Sequence, residues 1–237
     1  MEIRNKNIIV TGATSGIGNI LTKKLFNEGA NVAFCGRSCE KMSKLLHDLK
    51  GVRGKAYHET FDATIYQSVS QFIQNTISEL GEIDVLVNCA GANSSRSPVS
   101  DIDIADLEWM LKVNMISPFV FMKEAYNLSM IKRNEGMVIN VLSTVCSFSN
   151  EGIGSYTASK AGFDSLTKVF RKEVRDAGIK VCSIYPGGVD TPFRDTSRPQ
   201  YLHPDSVVEA ILYMLKQGSN SCVDELVIRP MIEKNFP

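Results

Sequence analysis

The sequence has no excess of charge of either sign and no long apolar run. Lys and Arg together number 26, and Asp and Glu also number 26, so the formal net charge is zero. Without a basic excess, nothing in the composition indicates a nucleic acid or an anionic membrane as a partner. The longest apolar stretches, such as residues 119–122, fall far short of the ~20 residues that span a bilayer, and the first residues lack a signal-peptide apolar region. We therefore expect a soluble, cytoplasmic protein.

The sequence also lacks the usual patterns of metal ligands. Its three histidines are isolated, and its six cysteines are scattered without a Cys-x2-Cys pair. Zinc sites are built from such pairs or from clustered histidines, and disulfide frameworks are typical of small secreted domains. We expect no metal site, and we expect buried, reduced thiols rather than disulfides.

Short β-branched apolar runs alternate with longer amphipathic segments throughout the chain. This alternation is typical of βαβ units, which build a parallel sheet with helices on both faces. A hydrophobic content of 43% in 237 residues suffices for a substantial core, and no Pro-, Gly- or Ser-rich linker divides the chain. The pattern predicts one doubly wound α/β domain over residues 1–237, with a central parallel sheet of about seven strands.

The predicted elements alternate along the chain. The strands are predicted at 7–10, 31–35, 55–60, 83–87, 137–142, 180–185 and 225–228. The helices are predicted near 17–28, 39–49, 65–80, 103–133, 154–177 and 205–216. Gly81, Gly136 and Gly178 each stand between a helix and the next strand, where a left-handed residue commonly ends the helix. Ligands should bind beyond the carboxyl ends of the strands, where the winding of the sheet reverses.

A glycine-rich segment, residues 11–18, directly follows the first predicted strand and opens the next helix. Glycines let backbone amides approach a pyrophosphate closely, and the helix N-terminus adds its partial positive charge. The glycine spacing differs from both the common dinucleotide fingerprint and the P-loop, and a purely structural turn is the alternative. The strand-to-helix position favours a dinucleotide site. Its predicted residues are Thr11, Gly12, Ser15, Gly16, Ile17 and Gly18.

The second predicted strand ends without the carboxylate that often binds the adenosine ribose in dinucleotide folds. Residues 35–38 read Cys-Gly-Arg-Ser instead. Arg37 could pair with a ribose 2′-phosphate while Gly36 leaves room for it, which favours NADP over NAD; a solvated Arg in a turn is the alternative. Asp62, followed by Ala63, comes after the third strand, where it is placed to contact the adenine or to cap a helix.

Small or polar residues follow the fourth, fifth and sixth predicted strands, where the backbone must pass close to a bound cofactor. Ser143 is the polar residue after the fifth strand. The further predicted cofactor contacts are Asn88, Ala90, Gly91, Pro186, Gly187, Val189 and Thr191.

Tyr156 and Lys160 stand four residues apart on a predicted helix, and therefore on one face of it. The unperturbed pKa of Tyr is about 10, and a fixed ammonium would favour the phenolate and so lower this pKa. Bringing the pKa to neutrality takes about 4 kcal/mol, more than one exposed ion pair supplies, so a second positive charge such as an oxidised nicotinamide should lie nearby. Taken alone, the two residues could equally form a chance surface pair.

In order and spacing, these motifs resemble those of the short-chain dehydrogenase/reductase family over nearly the whole chain. The resemblance implies a Rossmann-type fold and a catalytic tetrad in which Asn114 joins Ser143, Tyr156 and Lys160 by holding a water in a proton relay. Two residues differ from those that are most frequent in the family: Cys89 stands in place of an Asn, and Thr144 in place of a Ser. Both substitutions are small, so we expect the site to tolerate them. The C-terminus lacks the glycine-rich ending of the acyl-carrier-protein reductases of this family, which disfavours a role in fatty-acid synthesis.

The resemblance also implies a mechanism. Ser143 donates a hydrogen bond to the substrate carbonyl oxygen, Tyr156 donates the proton, and Lys160 lowers the tyrosine pKa and bonds the nicotinamide ribose. Hydride passes directly between the nicotinamide and the carbonyl carbon, with no metal. The backbone of Val189 and the side chain of Thr191 are implied to hold the carboxamide.

We therefore predict an NADP(H)-dependent oxidoreductase that acts on a small carbonyl compound or a secondary alcohol. An NAD(H)-dependent dehydrogenase of a hydroxylated metabolite, and a non-catalytic nucleotide-binding sensor or scaffold, stay open as alternatives. The resemblance also implies a homodimer or homotetramer, with the predicted helices 103–133 and 154–177 at the subunit interface.

Three loops should contact the substrate, at residues 92–98, 144–153 and 189–203, and the last is short for a lid. Their arginines could meet an anionic group on the substrate, or they could simply be solvated. These arginines are Arg96, Arg194 and Arg198.

Overall fold

In the computed structural model, which describes residues 2–193 and 196–234, the short apolar runs form a parallel sheet. The strands are β1 Asn7–Val10, β2 Asn31–Gly36, β3 Ala56–Thr60, β4 Val85–Asn88, β5 Gly136–Val141, β6 Ile179–Pro186 and β7 Glu225–Ile228. Their order is β3-β2-β1-β4-β5-β6-β7, and each neighbouring pair is parallel. The winding reverses between β1 and β4, so the predicted doubly wound fold is confirmed.

Burial along the strands follows their place in the sheet. The central strand β4 is buried along its whole length, and β5 is buried from Met137 onward. Residues in the edge strands β3 and β7 alternate between exposed and half-buried positions. Central strands of a parallel sheet are covered by helices on both faces, which is why their sequences are apolar without alternation.

The helices lie on both faces of the sheet. They are α1 Gly16–Asn27, α2 Cys39–Asp48, α3 Tyr66–Leu80, α4 Ile104–Leu111, α5 Ser117–Ala125, α6 Ile131–Arg133, α7 Gly154–Glu173 and α8 Pro204–Leu215. One hydrophobic core, which includes Leu21 and Ile211, joins α1 and α8 to the sheet. A second core on the opposite face includes Phe72, Phe121 and Phe163 from α3, α5 and α7.

The helix predicted over 103–133 is interrupted twice. Between α4 and α5 the chain widens into a π-helical segment, Lys112–Ile116, and a second one, Tyr126–Met130, precedes α6. Pro118 accounts for the first interruption, because it has no N–H to donate to the carbonyl of Asn114 and its ring would clash with that carbonyl in a regular α-helix. The wider turn removes the clash, and such turns are frequent at functional sites.

Of the three glycines predicted to end a helix, two do so and the third does not. Gly81 and Gly178 have positive φ angles of 93° and 73°, as predicted. Gly136 instead begins β5, and Asn134 takes the left-handed conformation with a φ of 51°. A short polar side chain tolerates that conformation. The glycine serves packing, since a Cβ on Gly136 would lie 2.5 Å from Cγ of Met130.

Within residues 2–193 and 196–234, no helix is long and apolar enough to cross a membrane. The same ranges contain no group of three or more His, Cys, Asp or Glu side chains arranged to hold a metal ion. All six cysteines have free thiols.

Candidate active site

The carboxyl ends of the strands border a cleft of about 1120 Å³. Its walls come from the segments that follow β1 to β6, where the doubly wound topology predicts a ligand site. Most of the predicted site residues line it. They are Thr11, Gly12, Ser15, Gly16, Ile17, Gly18, Arg37, Asp62, Ala63, Ala90, Gly91, Ser143, Tyr156, Lys160, Pro186, Gly187, Val189 and Thr191.

The glycine turn after β1 packs directly against the chain that follows β4. Gly12 has a φ of 67°, and a Cβ on it would lie 2.8 Å from Cα of Ala90. The hydroxyl of Thr11 accepts hydrogen bonds from the backbone N–H groups of Cys89 and Ala90, at 3.1 and 3.0 Å. Thr11 therefore joins two strand ends. Helix α1 begins at Gly16, so its N-terminus borders the cleft.

Asn88 lies behind the cleft wall, although we predicted it as a cofactor contact. It is almost fully buried. Its side-chain amide donates to the backbone oxygen of Pro118 at 3.1 Å and to Oδ1 of Asn140 at 2.9 Å. Because both amide hydrogens are used in these contacts, the Asn88 side chain joins β4 to α5 and β5 and supports the wall.

Two cations border the cleft beyond the end of β2. Arg37 and Lys41 are both exposed and both line the cleft, and the ion pairs found among the described residues involve neither. Ser38 caps α2, accepting a hydrogen bond from the backbone N–H of Lys41 at 3.3 Å. Gly36 also has a packing role that was not predicted. A Cβ on Gly36 would lie 2.5 Å from Cγ2 of Thr14, so the glycine makes room for the neighbouring turn.

Asp62 lies at the cleft but does not cap a helix. Its Oδ1 accepts hydrogen bonds from the backbone N–H and the hydroxyl of Thr64, at 2.9 and 2.8 Å. The residue that precedes α3 in the capping position is Ile65. The capping role that we considered is therefore wrong, because Asp62 closes a turn that ends before the helix starts.

Asn114 lies in the first π-helical segment and is fully buried. Its Oδ1 accepts from the backbone N–H of Ala92 at 2.9 Å, and its Nδ2 donates to the backbone oxygen of Ala92 at 2.8 Å. The same Nδ2 lies 3.1 Å from Oγ of Ser159, and the Ser159 hydroxyl donates to the backbone oxygen of Tyr156 at 2.8 Å. The Asn114 side chain thus joins the loop after β4 to the first turns of α7.

Lys160 extends from α7 to the end of β5. Its Nζ donates to the backbone oxygen of Val141 at 3.0 Å, and the residue is 6% exposed. Burial lowers the pKa of Lys160 to about 8, an effect that the nearby thiols of Cys146 and Cys89 partly offset. A Cβ on Gly91 would lie 3.4 Å from Nζ of Lys160, so glycine here keeps the ammonium close to the backbone after β4.

Ser143 and Tyr156 line the same cleft as Lys160. Ser143 follows β5, and its Oγ accepts from the backbone N–H of Val145 at 3.3 Å. A hydroxyl that accepts in this way keeps its proton to donate. Tyr156 is half-buried in the first turn of α7, and its ring centroid lies 6.0 Å from that of Phe193, with 57° between the ring planes.

The predicted anion-binding arginines differ in their surroundings. Arg194 lies outside the described residues. Arg96 is exposed at the cleft. The guanidinium of Arg198 stacks on the ring of Tyr201 at 5.5 Å, and its backbone N–H donates to Oδ1 of Asp190 at 2.8 Å. Arg198 therefore already has an aromatic partner within its own loop.

The prediction from sequence missed four side chains that complete the site. Ser159 could have been found from helical spacing, because it lies three residues after Tyr156 on α7 and so shares its face of the helix. Lys41 lies in the first turn of α2, shortly after Arg37, which precedes the helix. Phe193 and Trp109 also line the cleft. They come from a loop and from α4, and no local pattern relates them to Tyr156.

Comparisons with known proteins agree with this geometry. The family model for short chain dehydrogenase matches residues 6–202. A protein of Staphylococcus saprophyticus named as an uncharacterized oxidoreductase is 33% identical over 236 residues, which is 98% of this chain and 100% of the relative. The solved structure of a metagenomic short-chain oxidoreductase in complex with NADP has a TM-score of 0.86 at 25% identity, covering 98% of this chain and 100% of that chain.

A further likeness concerns the fold alone. An alcohol dehydrogenase from the archaeon Thermococcus sibiricus, complexed with 5-hydroxy-NADP, has a TM-score of 0.89 at 24% identity, covering 99% of this chain and 100% of that chain. The chain belongs to the short-chain dehydrogenase/reductase family, as the match over residues 6–202 shows. It is an oxidoreductase of this family with a Rossmann-type fold, which confirms the family and the enzyme class predicted from the motifs.

Proposed function

We propose that the protein is an NADP(H)-dependent oxidoreductase that interconverts a carbonyl compound and a secondary alcohol, with Tyr156 as the general acid and base. The observation that carries the proposal is that Ser143, Tyr156 and Lys160 line the same cleft as the glycine turn. In this proposal one unit, residues 1–237, both binds the cofactor and carries the catalytic groups.

The residues at the cleft fit a dinucleotide cofactor. The N-terminus of α1 at Gly16 suits a pyrophosphate, because its first backbone N–H groups lack intrahelical partners. Arg37 and Lys41 supply positive charge beyond the end of β2. Thr191 lies against the glycine turn, since a Cβ on Gly16 would be 3.4 Å from its Cβ. When bound, the nicotinamide supplies or accepts the hydride.

The side chains at the reactive end would divide the remaining work. Ser143 would donate a hydrogen bond to the substrate oxygen, and Tyr156 would give that oxygen a proton or take one from it. The Lys160 ammonium, held by Val141, would favour the phenolate form of Tyr156. Asn114, which the family resemblance implies to hold a water in a proton relay, would also position Tyr156 through Ser159, since its amide is engaged by Ala92 and Ser159.

The Tyr156→Phe substitution tests the catalytic part of the proposal. We expect turnover to fall by about 10²–10⁴-fold, because the proton donor is lost, while the Kd for NADPH stays unchanged. Tyr213→Phe is the matched control, because Tyr213 is an exposed tyrosine of α8 outside the cleft. Full turnover in Tyr156→Phe would contradict the proposal. A wild-type protein that binds NADPH but converts no carbonyl or alcohol in a panel would favour the sensor or scaffold alternative.

The preference for NADP(H) over NAD(H) is supported by Arg37 and Lys41 beside the end of β2, which form no ion pair within the described part of the chain, and by the NADP named in the metagenomic relative. Fluorescence titration with NADPH and NADH would measure it. We expect Arg37→Ala to weaken NADPH binding by about 10-fold or more and to leave NADH binding unchanged, since only NADPH carries the extra phosphate. Arg53→Ala is the control, because Arg53 is exposed away from the cleft. Equal effects on both cofactors would favour the NAD(H) alternative.

We further propose a homodimer or homotetramer in the cytoplasm. The exposed Val169 on α7 supports an interface on this helix, and the six free thiols fit a reducing compartment. Light scattering on the purified protein would give the subunit number. A mass of one chain at micromolar concentration would contradict the oligomer.

A further inference from the structure

Two thiols meet at the edge of the sheet, away from the cleft. Cys182 lies in β6 and is fully buried, whereas Cys222 lies half-buried in the segment between α8 and β7. Their Sγ atoms are 3.5 Å apart. A disulfide bond has an S–S length of about 2.05 Å, so a small approach of the two side chains would join them.

The segment that carries Cys222 is held in place on both sides of the thiol. The ammonium of Lys180 donates to the backbone oxygen of Ser221 at 2.6 Å. On the other side, Asp224 pairs with Arg175, and its backbone oxygen accepts from the N–H of Ser183 at 2.9 Å. Both anchors connect the segment with β6 or with the turn after α7, and they hold the two thiols next to each other.

The two thiols differ in their readiness to ionise. A hydrogen bond from the Cys182 thiol lowers the pKa of Cys222. The pKa of Cys182 is raised, by its hydrogen bond with Cys222 and by its burial. The charged groups around the pair are Arg171, Arg175 and Asp224. Cys222 is thus both the more accessible thiol and the better nucleophile.

We propose that Cys182 and Cys222 form a reversible oxidation site, at which a hydroperoxide converts the two thiols into an intramolecular disulfide. The Cys222 thiolate attacks the terminal peroxide oxygen, the O–O bond breaks, and a sulfenic acid forms, while the second oxygen takes a proton and leaves as an alcohol, or as water where the oxidant is hydrogen peroxide. The Cys182 sulfur then attacks the sulfenic sulfur and releases its own proton, and the hydroxyl departs as water. The two sulfurs lose two electrons in total, and the peroxide gains them.

The position of the bond determines its effect. Among the described residues β7 is an edge strand that pairs only with β6, and Cys222 lies shortly before it. The crosslink would tie the start of this edge to the sheet and close a loop of about 40 residues. Cys182 precedes Pro186 by four residues, or ~13 Å of extended strand. Oxidation should therefore stabilise the edge of the sheet without blocking the cleft.

Peroxide treatment of the reduced full-length chain tests the proposal. We expect the intact mass to fall by two hydrogen atoms, peptide mapping to link the two cysteines, and four of the six thiols to remain titratable. Dithiothreitol should reverse all three changes. The Tm should rise by roughly 5–15 °C on oxidation, because the closed loop lowers the entropy of the unfolded chain. The Kd for NADPH should not change.

Two variants separate this bond from general oxidation. Cys222→Ser should lose both the linked peptide and the rise in Tm, whereas Cys39→Ser, which removes an exposed thiol, should keep both. Circular dichroism checks that each variant folds, and Cys222→Ala serves if the serine variant does not. The proposal is overturned if peroxide oxidises Cys39 and leaves Cys182 and Cys222 as thiols, if it links other cysteines instead, or if the bond forms with no rise in Tm.

Discussion

The ammonium of Lys160 lies 3.0 Å from the backbone oxygen of Val141, so a side chain of α7 reaches the carboxyl end of β5. This contact buries a charge close to the residues proposed to handle the substrate oxygen. Removing a charge from water is costly, and one neutral carbonyl only partly compensates. The buried ammonium of Lys160 therefore lowers the free energy of unfolding of the protein.

The pH dependence of stability should reveal this cost. The pKa of Lys160 is lowered to about 8 in the folded protein, below its ordinary value of 10.5, so the unfolded chain binds more protons between these values. The contribution of Lys160 to the free energy of unfolding should then rise with pH from about 8 to about 10.5, by up to about 3 kcal/mol. Urea unfolding of the wild type and of Lys160→Met at several pH values in this range measures the difference in their free energies of unfolding. A difference independent of pH would mean that the ammonium is not desolvated.

Asn114→Ala should destabilise the fold as well as slow the reaction. The substitution removes a fully buried side chain and leaves the backbone N–H and oxygen of half-buried Ala92 without their partner, which we expect to lower the free energy of unfolding by about 1–3 kcal/mol. Asn220→Ala is the matched control, because Asn220 is exposed in a loop. Denaturant titration gives the free energy of unfolding of each variant. A loss within about 0.5 kcal/mol for Asn114→Ala would show that water replaces the amide.

Phe193→Ala should change substrate preference more than turnover of small substrates. The Phe193 ring is 44% exposed and lies against Tyr156, so it can cover the apolar part of a substrate whose oxygen meets that tyrosine. We expect the ratio of kcat/KM for an aryl ketone over a small aliphatic ketone to fall by about 10-fold, which is the usual effect of losing one apolar wall. Tyr213→Ala should leave the ratio unchanged. An unchanged ratio in Phe193→Ala would exclude Phe193 from the substrate pocket.

The cofactor end of the site was the most predictable part. The glycine turn and Arg37 each directly follow a strand, and in a parallel sheet the ends of neighbouring strands meet by topology alone. A correct strand order therefore brings them together without any knowledge of packing. The packing role of Gly36 was not predicted, because its contact with Thr14 depends on how the two turns pack.

The reactive end was predicted less completely. The roles of Asn88 and Asn114 depend on partners far away in sequence, at Asn140 and Ser159, and no local pattern identifies such pairs. The break in the helix over 103–133 has a local cause, Pro118, which the helical period of the surrounding apolar residues concealed.

The sequence by itself determined the alternation of strands and helices, the positions of the motifs at strand ends, and the family, because apolar periodicity and motif order are local properties of the chain. Only the tertiary structure decided that Lys160 is buried against Val141, that Phe193 lies on Tyr156, and that Cys182 meets Cys222. Burial and contact depend on the packing of segments distant in sequence. The same packing sets the pKa of a buried amine and the distance between two thiols.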